Sequence, residues 1–579
     1  MTDEVRGGAG APRKRPSLRG RKTWVRVVRA TLAPLLIVLV PLWWVLDTTY
    51  RASITTLGRD QGIFQYIAWA VQQGDVDYRD IRDVNGPLTH LIHLVMLALG
   101  GADEHRFHML DLASNAIAFA FVGACLPGLG VVARRAGPTP LERGAWAAAA
   151  CVVLSGQYAL YFYWNQAQRE SFCDWFLLPS VALQLATPAS SSRSATRRIV
   201  WIGALSVIAW FGKPSFAAFS LVQVAVLLFD DEILASRPRR LAAFALGGAL
   251  GAIPPIAYTL RYGDLVAYLR IAFRDVPRIY RFIWAKSAPE IFGEDGPLTT
   301  STTAIACGLF VLALVVVRVL PRRALVIALL PGAALANVVA QHKGFGYHFH
   351  PLTAATWIGA LVVVVALWER HRGAPRTRPA GRLLALGTAC AVAWQAANGL
   401  RLSPHLQNVW ILAGGETPER RQMQEYYDRF KTYDFFPWEM RQAAWYLRAN
   451  TPQDARVQMY GMDPYMLFLA GRRSATPYIY AYDLNADAAL DGGWSNHPTD
   501  GEAFQIRLAR DAHERDMLAR LHAAPPAAFV FVDHSPLVSY AAAHEDFEHC
   551  CADTARWLAS RYHERATFGP YHVWMRNDP

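Results

Sequence analysis

Apolar runs of membrane-spanning length recur along most of this 579-residue chain. Each is about 17–25 residues long, which is enough for a helix to cross a hydrocarbon core of roughly 30 Å. The composition agrees, because 53% of the residues are hydrophobic and 18% are charged, whereas soluble domains average roughly 25% charged. The sequence therefore predicts a polytopic α-helical membrane protein.

Most basic residues lie at the ends of the apolar runs, so the net charge of +12 reflects membrane topology and no nucleic-acid partner is expected. Placing the Arg-rich loops in the cytoplasm predicts about eleven spans, near residues 28–47, 106–132, 142–163, 171–187, 199–212, 214–229, 241–260, 299–320, 323–341, 350–368 and 382–400. With a cytoplasmic N-terminus, the odd number places the C-terminal part outside, as expected for a bacterial inner-membrane protein. Residues 88–99 are too few for a span and are interpreted as a juxtamembrane or re-entrant helix.

Three regions follow from these patterns: a basic cytoplasmic arm at 1–27, a transmembrane region at 28–401 and an outer soluble domain at 402–579. In the last region strands are predicted at 457–460, 528–532 and 571–575, and helices at 463–471 and 501–521. This alternation is typical of a small α/β domain.

Several common chemistries are excluded by missing motifs. The chain has no phosphate-binding Gly-x4-Gly-Lys-Ser/Thr loop, no Gly-x-Ser-x-Gly and no His-Glu-x-x-His. The adjacent Cys550 and Cys551 lack a zinc-ligand spacing, and the other five cysteines fall in apolar segments. No metal and no cofactor are predicted.

An acidic residue follows the first apolar run by about a dozen residues and opens an amphipathic stretch. Asp60 there is placed to take a proton from an acceptor while a lipid-borne donor lies in the bilayer beside it. A helix N-cap is the alternative role for this residue. The motifs Tyr78-Arg79-Asp80 and Asn85-Gly86-Pro87-Leu88 favour the first role. The other loop carboxylates are interpreted as solvated: Asp75, Asp77 and Asp83.

The later outer loops carry ionisable and aromatic residues at membrane depth. Because charged groups are costly there, Glu170, Lys213, Lys343 and His348 are functional candidates. For aromatic residues such as Tyr347, anchoring at the membrane interface is the alternative.

A basic stripe is predicted in the loop 261–297. Arg270, Arg274 and Arg278 recur at helical spacing within an amphipathic pattern that Pro277 would break or kink. Such a stripe can bind a phosphate through bidentate hydrogen bonds or contact anionic lipid headgroups, and both interpretations stay open here.

Over residues 25–400 the chain resembles the polytopic glycosyltransferases of the GT-C fold, such as protein O-mannosyltransferases, the lipid A aminoarabinose transferase and actinobacterial arabinosyltransferases. The resemblance rests on the order of Asp60, Tyr78 to Leu88, the short helix, His105-Arg106-Phe107, the polar second outer loop and the C-terminal domain. Several relatives have Lys-Pro-Pro-Leu or His-Pro-Pro-Leu where this chain has Asn85-Gly86-Pro87-Leu88, and others have Asp where it has Glu170. Both departures leave the sugar open.

The resemblance implies inverting transfer of a sugar from a polyprenyl-phosphate donor to a glycan, lipid or protein acceptor on the outer face, without a metal. Asp60 would be the general base and Glu170 would orient a substrate. The implied substrate-binding residues are Arg59, Tyr78, Asp80, Asn85, Lys213, Arg270, Arg274, Arg278, Lys343, Tyr347 and His348. The alternatives are a lipid-linked sugar transporter, which would show related halves with broken helices, and a polysaccharide polymerase or ligase.

Overall fold

The computed structural model describes Trp43 and residues 46–129, 138–159, 161–373, 417–492, 497–536 and 542–577. The predicted arm at 1–27, most of the predicted span 28–47 and the whole of 382–400 lie outside these residues.

Helices make up the first part of the chain. They are α1 (Arg59–Gln72), α2 (Pro87–Gly100), α3 (Glu104–Cys125), α4 (Pro140–Ala159), α5 (Arg169–Leu185), α6 (Ser192–Ile208), α7 (Ala217–Phe229), α8 (Arg237–Tyr262), α9 (Leu265–Arg270), α10 (Asp295–Val316), α11 (Leu325–Gln341) and α12 (His350–Gly373). Single turns of helix lie between them at Phe162–Asn165, Ala209–Phe211, Pro214–Phe216, Ala288–Phe292, Arg322–Ala324 and Gly346–Phe349.

Five described segments are long and apolar enough to cross a membrane: Glu104–Cys125, Arg237–Tyr262, Gly296–Val316, Arg322–Gln341 and Gly346–Glu369. Helices also occur at the predicted spans 142–163, 171–187, 199–212 and 214–229, but they are shorter or less apolar. Eleven spans therefore stays a prediction. The helix α2 is 14 residues long, which is too short to span, as expected.

Glycines bring α6 and α8 into backbone contact. A Cβ at Gly203 would lie 2.2 Å from the carbonyl oxygen of Phe244, and one at Gly247 would lie 2.0 Å from that of Val200. Small residues permit this approach between membrane helices, where dispersion and packing drive association. A larger residue at either glycine position would therefore force α6 and α8 apart.

The predicted amphipathic helix after α8 changes type within its length. The short α9 passes into a π-helix over Ile271–Tyr280 that contains Pro277. Pro277 lacks the N–H of a regular helix, and the Arg281 N–H bonds the Val276 carbonyl five residues back at 3.0 Å. The predicted kink at Pro277 is therefore a widened turn.

A five-stranded sheet forms the centre of the C-terminal part. Its strands β1 (Arg456–Tyr460), β2 (Arg473–Ser474), β3 (Ala528–Val532), β4 (Tyr562–Phe568) and β5 (Tyr571–Arg576) lie in the order β2-β1-β3-β5-β4. The strand β1 is parallel to β2 and β3, whereas β5 is antiparallel to β3 and β4. Around it lie α13 (Pro437–Asn450), α14 (Tyr465–Ala470), α15 (Asp500–Ala523), α16 (Ala543–Cys550) and α17 (Ala552–Ala559).

The predicted strands and helices of this part are all present, with ends shifted by a few residues at most. The sequence missed β2, which has two residues, and β4, whose mostly polar residues suit a half-exposed edge strand. Cys550 and Cys551 are free thiols.

Ion pairs dock the C-terminal part on the loop between α1 and α2. Arg82 contacts Asp483 at 2.6 Å and Asp275 at 2.8 Å, while Asp75 binds Arg456 at 2.8 Å and Arg473 at 3.0 Å. The sequence-based interpretation of Asp75, Asp77 and Asp83 as solvated was wrong: they are 5%, 0% and 0% exposed. The reason is that residues distant in sequence cover this loop and supply its counter-charges.

We expect Arg82→Met to destabilise the protein by roughly 3–5 kcal/mol, because it leaves buried Asp483 without its ion-pair partner. Arg79→Met is the matched control: Arg79 is 55% exposed and contacts Asp80 next to it, and an exposed pair contributes about 0–1 kcal/mol. Thermal unfolding of the purified protein would measure both. Equal shifts in the two variants would contradict this interface.

Candidate active site

Asp60 lies in the first turn of α1, whose N-cap is Gly58. The alternative role of Asp60 as N-cap is therefore wrong. Among the described residues none donates a hydrogen bond to its carboxylate. Burial raises the pKa of Asp60, and the nearby Arg169 and Arg59 offset part of that rise. A carboxylate with free lone pairs and a raised pKa is suited to accept a proton.

Glu170 meets Lys213 across the site. Glu170 is in the first turn of α5 and fully buried, and Lys213 Nζ donates to its Oε1 and to Gln341 Oε1. His348 Nε2 lies 3.7 Å from the same Glu170 oxygen. Burial lowers the pKa of Lys213 to about 8, although Glu170 opposes that shift. The second oxygen of Glu170 is buried without a hydrogen bond and is available to a substrate hydroxyl.

Arg169 connects the loop between α1 and α2 to the turn Gly346–Phe349. Its guanidinium donates to Asn85 Oδ1 and, at 3.2 Å, to the Tyr347 hydroxyl. It is also a main electrostatic neighbour of Asp60. The arginine therefore holds the loop after α1, the start of α5 and the turn Gly346–Phe349 in one place.

Lys343 is a buried cation whose described partners include no carboxylate. It is 5% exposed and donates to the carbonyl oxygens of Tyr280, at 2.9 Å, and Ile283. Its Nζ lies 4.9 Å from the centroid of the Tyr280 ring. Burial lowers the pKa of Lys343 to about 7. The backbone of Lys343 lies where α11 ends, between His342 and Gly344, which both have positive φ.

These residues form one cluster, which we call the cation cluster: Asp60, Asn85, Arg169, Glu170, Lys213, Tyr280, Lys343, Tyr347 and His348. Electrostatic interactions connect its parts. Tyr280 lies near Arg169 and Asp60. His348 lies near Lys213, Arg169 and Lys343. A carboxylate with free lone pairs thus lies near Arg169, and Lys213 and Lys343 supply further positive charge near His348. Chemically, the arrangement can bind a phosphate and deprotonate a nucleophile next to it.

Other sequence-predicted site residues are not members of this cluster. Arg59 is paired with Asp463, at 2.9 Å, and Asp434. Tyr78 donates to the Asn85 carbonyl at 2.9 Å, and Asp80 contacts Arg79 and the Val76 N–H. Exposed side chains on α9 and the π-helix are outside the cluster: Arg270, Arg274 and Arg278.

Sequence reasoning missed Arg169 and Tyr280 as site residues. Arg169 had a signal, since it adjoins Glu170 in a polar loop, but its charge is adequately explained there as an ordinary membrane-interface residue. Tyr280 had none, because only the fold brings the end of the π-helix under Lys343.

Beside the cluster, His90 bridges two buried carboxylates of the first loop. Its Nδ1 and Nε2 each lie 2.7 Å from an oxygen, of Asp77 and Asp83 respectively. Burial lowers the pKa of His90, but the two carboxylates raise it by more, so that the resulting pKa is about 10. The first loop therefore has a cationic histidine at its centre at neutral pH.

Gly86 follows Asn85 in the motif that departs from several relatives. A Cβ there would lie 2.1 Å from the Phe211 carbonyl oxygen and 3.1 Å from that of Gly212. The backbone of this motif is thus in direct contact with the turn that carries Lys213.

Comparison with solved structures identifies the fold of this chain. ArnT from Cupriavidus metallidurans in the apo state matches at 14% identity and a TM-score of 0.50, over 96% of this chain and 98% of that one. ArnT is an aminoarabinose transferase with the GT-C fold. The chain has the GT-C fold.

Two further GT-C structures match less closely. ArnT from Cupriavidus metallidurans bound to undecaprenyl phosphate has 14% identity and a TM-score of 0.46, over 94% of this chain and 98% of that one. Archaeal oligosaccharyltransferase AglB from Archaeoglobus fulgidus, in complex with an inhibitory peptide and a dolichol-phosphate, has 11% identity and a TM-score of 0.42, over 85% and 69%. The sequence matches no family model and no curated protein.

The His90 bridge predicts a pH-dependent stability. Because its pKa rises from 6.5 to about 10 on folding, the stabilisation is complete below 6.5 and is lost as pH rises through 10. We expect the difference in melting temperature between wild type and His90→Gln to be larger near about pH 6 than near about pH 10.5.

His93→Gln is the control on the same helix. Burial lowers the pKa of His93 well below 6.5, so this histidine stays neutral in the folded protein and is protonated near about pH 6 only in the unfolded chain. The effect of His93→Gln should therefore be slightly smaller near about pH 6 than near about pH 10.5, the opposite direction to that of His90→Gln. A pH-independent effect of His90→Gln would contradict the bridge.

Proposed function

We propose that this GT-C chain is an integral-membrane glycosyltransferase that moves a sugar from a polyprenyl-phosphate donor to an acceptor on the outer face of the membrane. The observation that carries the proposal is the cation cluster, in which Asp60, a carboxylate with free lone pairs, lies near Arg169, and Lys343 lies near His348 of the same cluster. The fold shared with ArnT supports the same class of reaction. A purely structural assembly protein would have no use for such a proton acceptor.

In the proposed reaction Asp60 removes the proton of the acceptor hydroxyl or amine. At the same time the lone pair of that acceptor oxygen or nitrogen attacks the anomeric carbon of the donor sugar. The bond between that carbon and the phosphate oxygen breaks, and the electron pair leaves with the lipid phosphate. Such a single displacement inverts the anomeric centre. A general base contributes on the order of 10²–10⁴-fold, and the raised pKa of Asp60 brings it nearer to the working pH.

The leaving phosphate needs fixed positive charge. Arg169 offers a guanidinium fork and Lys343 a buried ammonium, both held by backbone or side-chain contacts before substrate arrives. Preorganised cations of this kind stabilise developing charge without reorganisation. We expect transfer without a metal ion, because these cations already balance the phosphate charge.

The remaining cluster residues are assigned to sugar and acceptor. Glu170 has one oxygen without a hydrogen bond, and Lys213 donates to the other, from which His348 Nε2 is 3.7 Å away. Glu170 and Lys213 would orient a sugar hydroxyl, and His348 would be a further hydrogen-bond donor. Arg270, Arg274 and Arg278 would contact lipid headgroups on their exposed surface.

We propose the topology that the basic loops indicate: a cytoplasmic N-terminus and a C-terminal part outside, next to the site. On this arrangement the acceptor, a glycan, lipid or protein, reaches Asp60 from the outer side.

Asp60→Asn should lower sugar transfer by about 10²-fold or more, because the amide cannot accept the acceptor proton. The measurement is transfer of radiolabelled sugar from a panel of polyprenyl-phosphate sugars in membranes containing each variant. Asp80→Asn is the control, since Asp80 contacts Arg79 and Val76 outside the cluster. Equal loss in both variants would remove Asp60 from the reaction, and movement of lipid-linked sugar across the bilayer without transfer would favour the transporter.

Lys343 makes binding of the lipid phosphate pH-dependent. With a pKa of about 7, it is protonated below and neutral above that pH, so affinity for undecaprenyl phosphate should fall as pH rises through 7, at most about tenfold per unit. Lys343→Arg stays charged and should flatten the profile. Binding that is equally pH-dependent in both proteins would assign the titration to another group.

A further inference from the structure

Buried hydrogen bonds run without a break from the C-terminal part into the cation cluster. The Tyr480 hydroxyl donates to Asp83 Oδ1 at 2.6 Å. Asn85 Nδ2 donates to the two Asp83 oxygens at 2.9 and 3.0 Å, and Arg169 donates to Asn85 Oδ1. Tyr480, Asp83 and Asn85 are 2%, 0% and 8% exposed, so water competes little with these bonds.

Each member of this chain orients the next. An asparagine amide has one donor end and one acceptor end. Because Asp83 occupies the donor end of Asn85, the acceptor end points at Arg169. Asp83 is itself held from two sides, by the Tyr480 hydroxyl and by His90 Nε2 at 2.7 Å.

We infer that Tyr480 is a positioning residue for Arg169, acting through Asp83 and Asn85. The inference rests on the proposed function, in which Arg169 faces the phosphate. The C-terminal part then sets the geometry of the reaction in addition to covering the first loop.

Other contacts between the C-terminal part and the first loop stop short of the cluster. Arg456 and Arg473 end on Asp75, and Asp483 contacts Arg82, which leads to Asp275 on the π-helix. Tyr480 alone among these contacts continues, through Asp83, to a residue that touches Arg169.

The Tyr480 hydroxyl can be removed while its ring packing is retained. The ring stacks on Tyr482 with centroids 4.9 Å apart, and Tyr482 in turn lies 5.7 Å from Tyr280. A phenylalanine at position 480 keeps these contacts and loses one hydrogen bond.

The test compares Tyr480→Phe with Tyr478→Phe. Tyr478 is also buried and donates to Asp516 at 3.0 Å, away from Asp83, so both variants lose one buried tyrosine hydrogen bond. We expect Tyr480→Phe to lower kcat/KM for the donor by about tenfold or more, since displacing a positioned group by roughly 1 Å can cost 10²-fold. Tyr478→Phe should stay within about twofold of wild type, as expected for a change outside the site.

An Arg169→Lys background separates positioning from general destabilisation. Lysine lacks the planar fork that Asn85 orients, so Tyr480→Phe should have no further effect on kcat/KM in that background. An equal penalty with and without Arg169 would overturn the inference. All rates are compared below the lowest melting temperature in the set.

Binding of undecaprenyl phosphate gives a readout that does not need transfer. We expect Tyr480→Phe to weaken it about tenfold at most and Tyr478→Phe to leave it unchanged. If wild type binds the lipid phosphate and Tyr480→Phe weakens that binding, but no donor supports transfer, the proposed function fails and the inference stands. Unchanged binding and unchanged kcat/KM in Tyr480→Phe overturn the inference.

Discussion

Carboxylates that leave water must find cations or hydrogen-bond donors, because an unpaired buried charge costs several kcal/mol. The loop between α1 and α2 buries three of them, and their partners come from three directions. Asp75 takes arginines from the C-terminal sheet, while Asp77 and Asp83 share His90 from α2. Tyr258 of α8 completes the set with a hydrogen bond to Asp77 at 2.8 Å. The position of α1, and so of Asp60, depends on these pairings.

The cation cluster departs from that rule at two places. Asp60 has no hydrogen-bond donor among the described residues, and Lys343 is held by carbonyl oxygens. Elsewhere around the first loop the pairing of charges is thorough, so these two stand out as groups that a substrate would complete. Proteins relax local rules mainly at functional sites, and here an incoming phosphate and an acceptor proton would satisfy both residues.

Much of the architecture was predictable, and the limit has a physical cause. Local apolar periodicity located α3, α8, α10, α11 and α12, and strand patterns located β1, β3 and β5. Outer-loop charge pointed to Asp60, Glu170, Lys213 and Lys343, which the structure brings together. Burial of Asp77 and Asp83 was not predictable, because their covering residues Tyr258 and Tyr480 lie 181 and 397 positions away. The arginine stripe was periodic, yet periodicity does not say which way a helix faces.

Because Gly86 contacts Phe211 and Gly212, the first-loop motif and the turn that carries Lys213 cannot move independently of each other. Several of the glycosyltransferases that this sequence resembles have a proline where this chain has Gly86, whose absent Cβ admits the backbone next to Lys213. Grafting such a motif into this chain would push that turn and carry Lys213 away from Glu170. The first-loop motif and the lysine turn therefore form one module. A graft that exchanges either element with another protein of this fold would have to carry both together.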